Sequence, residues 1–238
     1  DPIGLRIGVR PDQLTADLTI MPLIWGTEYR QFISISRGAK IATDAADPHD
    51  ALAHVVLAVN TKSEVLQRQS NFLRTISGAG LNLDPLGWLG PNVSAYVDDG
   101  PFWEELAKVG PDDRERFMEE QGWRMPLAVR AEVSSGLKLT AFLAAVRGFI
   151  EQAAPGMLNW EALTYNDRPY VKITPTAQAV GRTEEIRNLA VYYCASGKSF
   201  VLSLNEDVLK RAMDRDSERT QLEGDGEEPR QASHPWIG

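Results

Sequence analysis

The chain has 238 residues, of which 43% are hydrophobic and 24% charged, the balance of a folded protein with ample core material, which excludes wholesale disorder. A formal net charge of −8 argues against nucleic acid and anionic membrane surfaces, because both are bound through an excess of Lys and Arg. A single cysteine excludes an intrachain disulfide and a multi-cysteine zinc site, and no run of about 18 apolar residues is present to span a bilayer.

Alternation predicts strands from Leu5 to Val9, from Leu14 to Leu23 and across Phe32 to Ser36, followed by a loop or weak helix over Ala42 to Asp50. His54 to Asn60 is a strand feeding a helix in which Thr61 and Glu64 have capping-box spacing and Val65, Leu66, Gln69, Phe72, Leu73 and Ile76 share one face, with Gly78 and Gly80 ending it. A loop holding Trp88 leads to a strand from Val93 to Val97. Asp98-Asp99-Gly100-Pro101 then opens a helix, with Asp99 as its cap and Glu104 and Glu105 near the positive end of its dipole, and a polar helix follows from Pro111 to Gln121.

Leu127 to Val133 is again a strand, and Ser134 or Ser135 caps a helix whose stripe runs from Leu139 to Ala153. Leu158 to Tyr165 and Tyr170 to Thr174 form a hairpin turning at Asn166-Asp167, and Ala190 to Ala195 pairs with Phe200 to Leu204 around Ser196-Gly197. Asn205 caps a short helix carrying Val208, Leu209, Ala212 and Met213. In plan, His54 to Ile76 matches Leu127 to Ile150, and Val93 to Leu106 matches Phe200 to Met213. The fold class expected is α+β, a mainly antiparallel sheet with amphipathic helices on one face. One domain over 1–216, divisible into similar halves 1–122 and 123–216, precedes a polar linker or tail over 217–238.

Several motifs are incomplete. Tyr192-Tyr193-Cys194-Ala195 matches the end of an immunoglobulin strand, which needs a second cysteine upstream. Gly197-Lys198-Ser199 lacks the earlier glycine of a phosphate-binding loop and continues as a strand, and Gly78-Ala79-Gly80 follows a helix rather than a strand. Ser135-Gly136-Leu137-Lys138 fits the Ser-x-x-Lys signature of acyl enzymes, and Ser203-Leu204-Asn205 its second element, but the Lys-Thr-Gly strand is missing. Asp98, Asp99, Glu104 and Glu105 form the densest carboxylate cluster beside aromatics, a pattern that serves acid–base work or, more simply, helix capping. His49 and His54 are spaced wrongly for one helix face, and Asn92-Val93-Ser94 is an N-glycosylation sequon.

Asp84-Pro85-Leu86-Gly87-Trp88-Leu89-Gly90 with the strand after it, and Gly197 to Met213 (GKSFVLSLNEDVLKRAM), resemble recurrent segments of bacterial envelope proteins of unknown function. The resemblance implies an exported or lipid-anchored protein with no assigned catalytic residues. It also implies an extracytoplasmic location and an export signal encoded upstream of Asp1.

The function expected is that of a non-catalytic binding or scaffolding domain of a bacterial exported protein, with a protein or a small apolar ligand as partner. No catalytic, cofactor-binding or metal-binding residue is assigned, and no cofactor. The alternatives are a hydrolase using the Asp98/Asp99 region or Ser135, and a carrier for an apolar ligand.

Overall fold

A computed structural model describes residues 3–10, 13–20, 35, 50–76 and 84–224. Strands β1 (Ile3–Arg10) and β2 (Gln13–Ile20) pair antiparallel from Ile3 opposite Ile20 to Arg10 opposite Gln13. Of the strand expected over Phe32 to Ser36, the one described residue, Ile35, is helical; the rest, like Gly78 and Gly80, lies outside the described residues.

The main body begins with β3 (Ala53–Ala58), helix α1 (Glu64–Ile76), β4 (Leu89–Val97), α2 (Pro101–Lys108) and α3 (Arg114–Gln121). It continues with β5 (Leu127–Val133), α4 (Gly136–Ala153), β6 (Leu158–Tyr165), β7 (Arg168–Pro175) and the short α5 (Ala177–Val180). Strands β8 (Val191–Ala195) and β9 (Ser199–Ser203) lead into α6 (Glu206–Gly224). The strands form one seven-stranded sheet in the order β3-β4-β5-β9-β8-β7-β6, every neighbouring pair antiparallel. The α+β class and the antiparallel sheet are therefore as the pattern predicts. In each half a strand followed by a helix (β3 then α1, β5 then α4) pairs with a strand that runs into another helix (β4 then α2, β9 then α6).

Period-two alternation decides which face each residue joins. Ala128 and Val201 point to one side, where Tyr96, Tyr170 and Tyr192 meet Val208, Leu209, Ala212 and Met213 of α6. Ala131, Val93 and Phe200, cross-strand neighbours of opposite parity, meet Leu139, Phe142 and Leu143 of α4 on the other. The helices thus occupy both faces of the sheet, not one. The reason lies in the strands: the odd positions of β4 and β5 are apolar throughout, and the even positions add Tyr96 and Ala128, so neither face can stay wet along its whole length. The α4 face is the less completely covered. Val55, Leu57, Leu127, Val129 and Leu202, all of that parity, remain exposed.

Local chemistry explains the joints. Asn166 and Asp167 take φ of 47° and 60°, the positive values that a two-residue hairpin of this hand requires, and they join β6 to β7. Gly90 sits where β4 shifts register against β5; a Cβ there would come 2.7 Å from Glu132 Cβ, so only glycine lets the strands close. Trp88 lies in the loop before β4, as expected. It is buried, 5.6 Å from the rings of both Phe142 and Phe200, and anchors the 84–88 turn to α4.

Four caps test the expectations. Ser135 Oγ accepts the Lys138 amide at 3.4 Å and Asn205 Oδ1 accepts those of Asp207 and Val208 at 3.0 and 3.3 Å, as expected. At α1 the hydroxyl that accepts is Ser63 Oγ, bonded to the Leu66 amide, rather than Thr61, because the helix starts two residues later than capping-box spacing demands. At α2 no side chain caps; Asp99 Oδ1 bonds the amide of its neighbour Gly100 at 2.8 Å and stays exposed. Finally, α6 is long: it runs past residue 216 to Gly224.

Candidate functional site

Helix α6 changes character along its length. Its first half lays Val208, Leu209 and Met213, all essentially inaccessible, onto the sheet. Its second half presents Asp214, Arg215, Asp216 and Arg219, and each makes an ion pair. The sheet beneath supplies the complementary groups, and two separate clusters result.

The first cluster lies on the β4 side. Asp98 is 1% exposed. Arg215 grips it with two hydrogen bonds, Nη1 to Oδ2 at 3.2 Å and Nη2 to Oδ1 at 3.0 Å, a fork-on-fork pair. Arg211 Nε lies 3.1 Å from Oδ2 as an ion pair out of line for a hydrogen bond, and its Nη2 donates to the Asp99 carbonyl. Arg215 Nε donates to Asp50 Oδ1 at 2.8 Å, and its guanidinium stacks 5.3 Å from the Tyr96 ring. Burial pushes the Tyr96 phenol up to about 12. The hydrogen bond from Arg215 holds the Asp50 carboxyl below the usual range. Both oxygens of Asp98 are engaged, so the carboxylate expected as a candidate acid or base serves as a buried clamp between β4 and α6. Asp99 points to solvent, Glu104 is exposed, and Glu105 pairs with Arg124 at 2.7 Å.

The second cluster lies across β5 and β9. Arg130 Nε donates to Asp216 Oδ1 at 3.2 Å, and Ser199 Oγ donates to Asp216 Oδ2. Ser199 is held in turn by the turn that joins β8 to β9: Ser196 Oγ accepts the amides of Lys198 and Ser199 at 3.3 and 2.9 Å. Arg168, from the start of β7, donates to the Met213 carbonyl and lies 3.4 Å from Asp214. Between these groups opens a cleft of about 600 Å³. Its lining includes Arg130, Arg168, Lys198 and Arg219, the carboxylates Glu132 and Asp216, and the hydroxyls of Ser134, Ser196 and Ser199. A smaller cleft of about 390 Å³, between α1 and the 84–91 segment, shares Gly90, Pro91 and Ser134 with it. There Ser70 Oγ donates to Asp84 Oδ1 at 2.7 Å, and Lys62 and Lys138 stand at the wall.

The predicted motifs are thereby placed. Ser135 spends its hydroxyl on the α4 cap, and Asn205 and Ser203 of the Ser-x-Asn element bond the α6 amides and the Leu127 carbonyl. Ser135 belongs to neither cluster and is not brought together with Asp98. Gly197-Lys198-Ser199 forms the β8–β9 turn as expected, yet two of its residues line the larger cleft. Asn92 of the sequon is 2% exposed, with Nδ2 donating to Glu132 Oε2 at 2.9 Å, so the folded chain does not present it for glycosylation. Cys194 is partly buried on β8, and burial pushes its thiol up, away from the reactive thiolate. Among the described residues no three His, Cys, Asp or Glu side chains could hold a metal ion, and no helix is long and apolar enough to cross a membrane.

Arg130, Asp216 and Arg168 were not foreseen. The signal for Arg130 and Glu132 was present, since they place charge on alternate positions of an otherwise apolar strand. Asp216 stood at the expected end of the domain, where no partner was sought. Comparison with protein-family models, curated proteins and solved structures finds no match to this chain.

Proposed function

We propose that the chain is a binding domain, and that its site is the cleft walled by β5, the β8–β9 turn and the second half of α6. The observation that supports this is a cleft of about 600 Å³ on which charged and hydroxyl groups from four elements converge, as they do in small-molecule sites. The clustered carboxylates favour this reading over a hydrolase: Asp98 is saturated by Arg211 and Arg215, and Ser135 by a cap. A carrier of apolar molecules is less well supported, because the lining is rich in charge. An extracytoplasmic setting in a bacterial envelope belongs to the same proposal and rests on the resemblance of residues 84–90 and 197–213.

The test is a fragment library of neutral and charged compounds screened by amide chemical shifts on the full chain. Binders are expected to move the resonances of Ser196, Lys198, Ser199 and Asp216 together. A library that leaves those amides unmoved overturns the proposal, as do binders that cluster instead on the exposed β3–β5 face.

A further inference from the structure

Building on the reading of this cleft as a binding site, we infer that its ligand is an anion, a small molecule bearing a carboxylate or a phosphate. The charges at the wall carry the argument. Four cationic side chains face two carboxylates there, in a chain whose formal charge is −8. A local positive excess against an acidic background focuses the field into the cleft and draws anions to it.

Arg130 is the group placed to receive one. Its side chain is 10% exposed, so a guanidinium has been taken largely out of water in the middle of a strand. Asp216 engages its Nε at 3.2 Å, and among the described residues its two Nη nitrogens have no protein acceptor. Four of its five N–H donors are therefore left for the cleft, in a fixed planar fork. Two oxygens of a carboxylate or phosphate match that fork. Asp216 cannot turn to serve it, because Ser199 Oγ holds its other oxygen. Lys198 and Arg219, which line the same cleft, add charge without requiring any particular geometry.

The experiment is titration of the full chain with inorganic phosphate and with succinate, against succinamide as the uncharged match, followed by amide shifts and calorimetry at two salt concentrations. Both anions are expected to saturate the Ser196–Ser199 and Asp216 resonances, with affinity falling as salt rises. Arg130→Met is expected to weaken binding at least about tenfold, the loss of one charge-assisted bidentate contact. Equal binding of succinamide and succinate overturns the inference, as does an Arg130→Met protein that binds within about twofold of the wild type. If that variant fails to fold, Lys198→Gln on the turn replaces it, with an expected weakening of about threefold that fades at high salt; unchanged affinity again overturns the inference. Should neutral fragments occupy the cleft while both anions leave it untouched, the inference falls and the binding-domain reading stands. Should neither kind occupy it, both fall.

Discussion

The two ion clusters under α6 use the same residue types to opposite ends. At Asp98 one carboxylate meets two arginines, and both oxygens of the buried group are engaged. At Arg130 one guanidinium meets one carboxylate through a single nitrogen, and the remainder of its fork faces a cleft. The first arrangement is closed and can only hold the helix down. The second is open, and its remaining donors face a cleft from which a ligand can reach them. Satisfaction of hydrogen bonds, more than burial or charge, separates a clamp from a site.

Asp98→Ala should break the closed cluster most severely. It leaves two arginines facing each other without their shared counter-charge, and a loss of about 3 kcal/mol in chemical denaturation is expected. A loss under about 1 kcal/mol would mean that the cluster behaves as a surface pair. Arg130→Met, in the open cluster, should cost only about 1 kcal/mol, since Asp216 keeps Ser199 and Arg219 and reaches solvent. A cost matching that of Asp98→Ala would erase the distinction between them. The smallest effect concerns pH. The Asp50 carboxyl, held down by Arg215, is depressed in the folded chain, so its contribution is present above the unfolded value and is lost as pH falls through the folded one. Glu206, held down by its hydrogen bond from Lys210, acts in the same direction. Melting temperature is expected to decline below about pH 4, less steeply in Asp50→Asn. A variant as acid-sensitive as the wild type would remove Asp50 from the account.

Most of this fold was legible because its strands and helices obey their own periods. The β5 span, both second-half hairpins and the Asn205 and Ser135 caps follow from local chemistry alone, which needs no partner from elsewhere in the chain. What local chemistry could not show was which side of the sheet each helix takes. That depends on register and on the helices' own stripes, because the face of β5 that carries Arg130 and Glu132 also carries the buried Ala128 and lies under α6. The site was hidden for a related reason. Arg130 and Asp216 are 86 residues apart, and only the pairing of β5 with β9 carries α6 back over Arg130. Asp98 and Asp99 stood out in the sequence because they are adjacent, yet the fold seals one and exposes the other.

The position of β9 also has a kinetic consequence. It lies between β5 and β8, joining residues 128–132 to 199–203. As the chain leaves the ribosome, β3, β4 and β5 can pair in turn, but β5 then presents an open edge until residues 199–203 arrive. Both walls of the cleft and the seat of α6 depend on that late insertion. Such long-range closure makes for slow folding, and it leaves an intermediate whose unpaired edge is its point of aggregation.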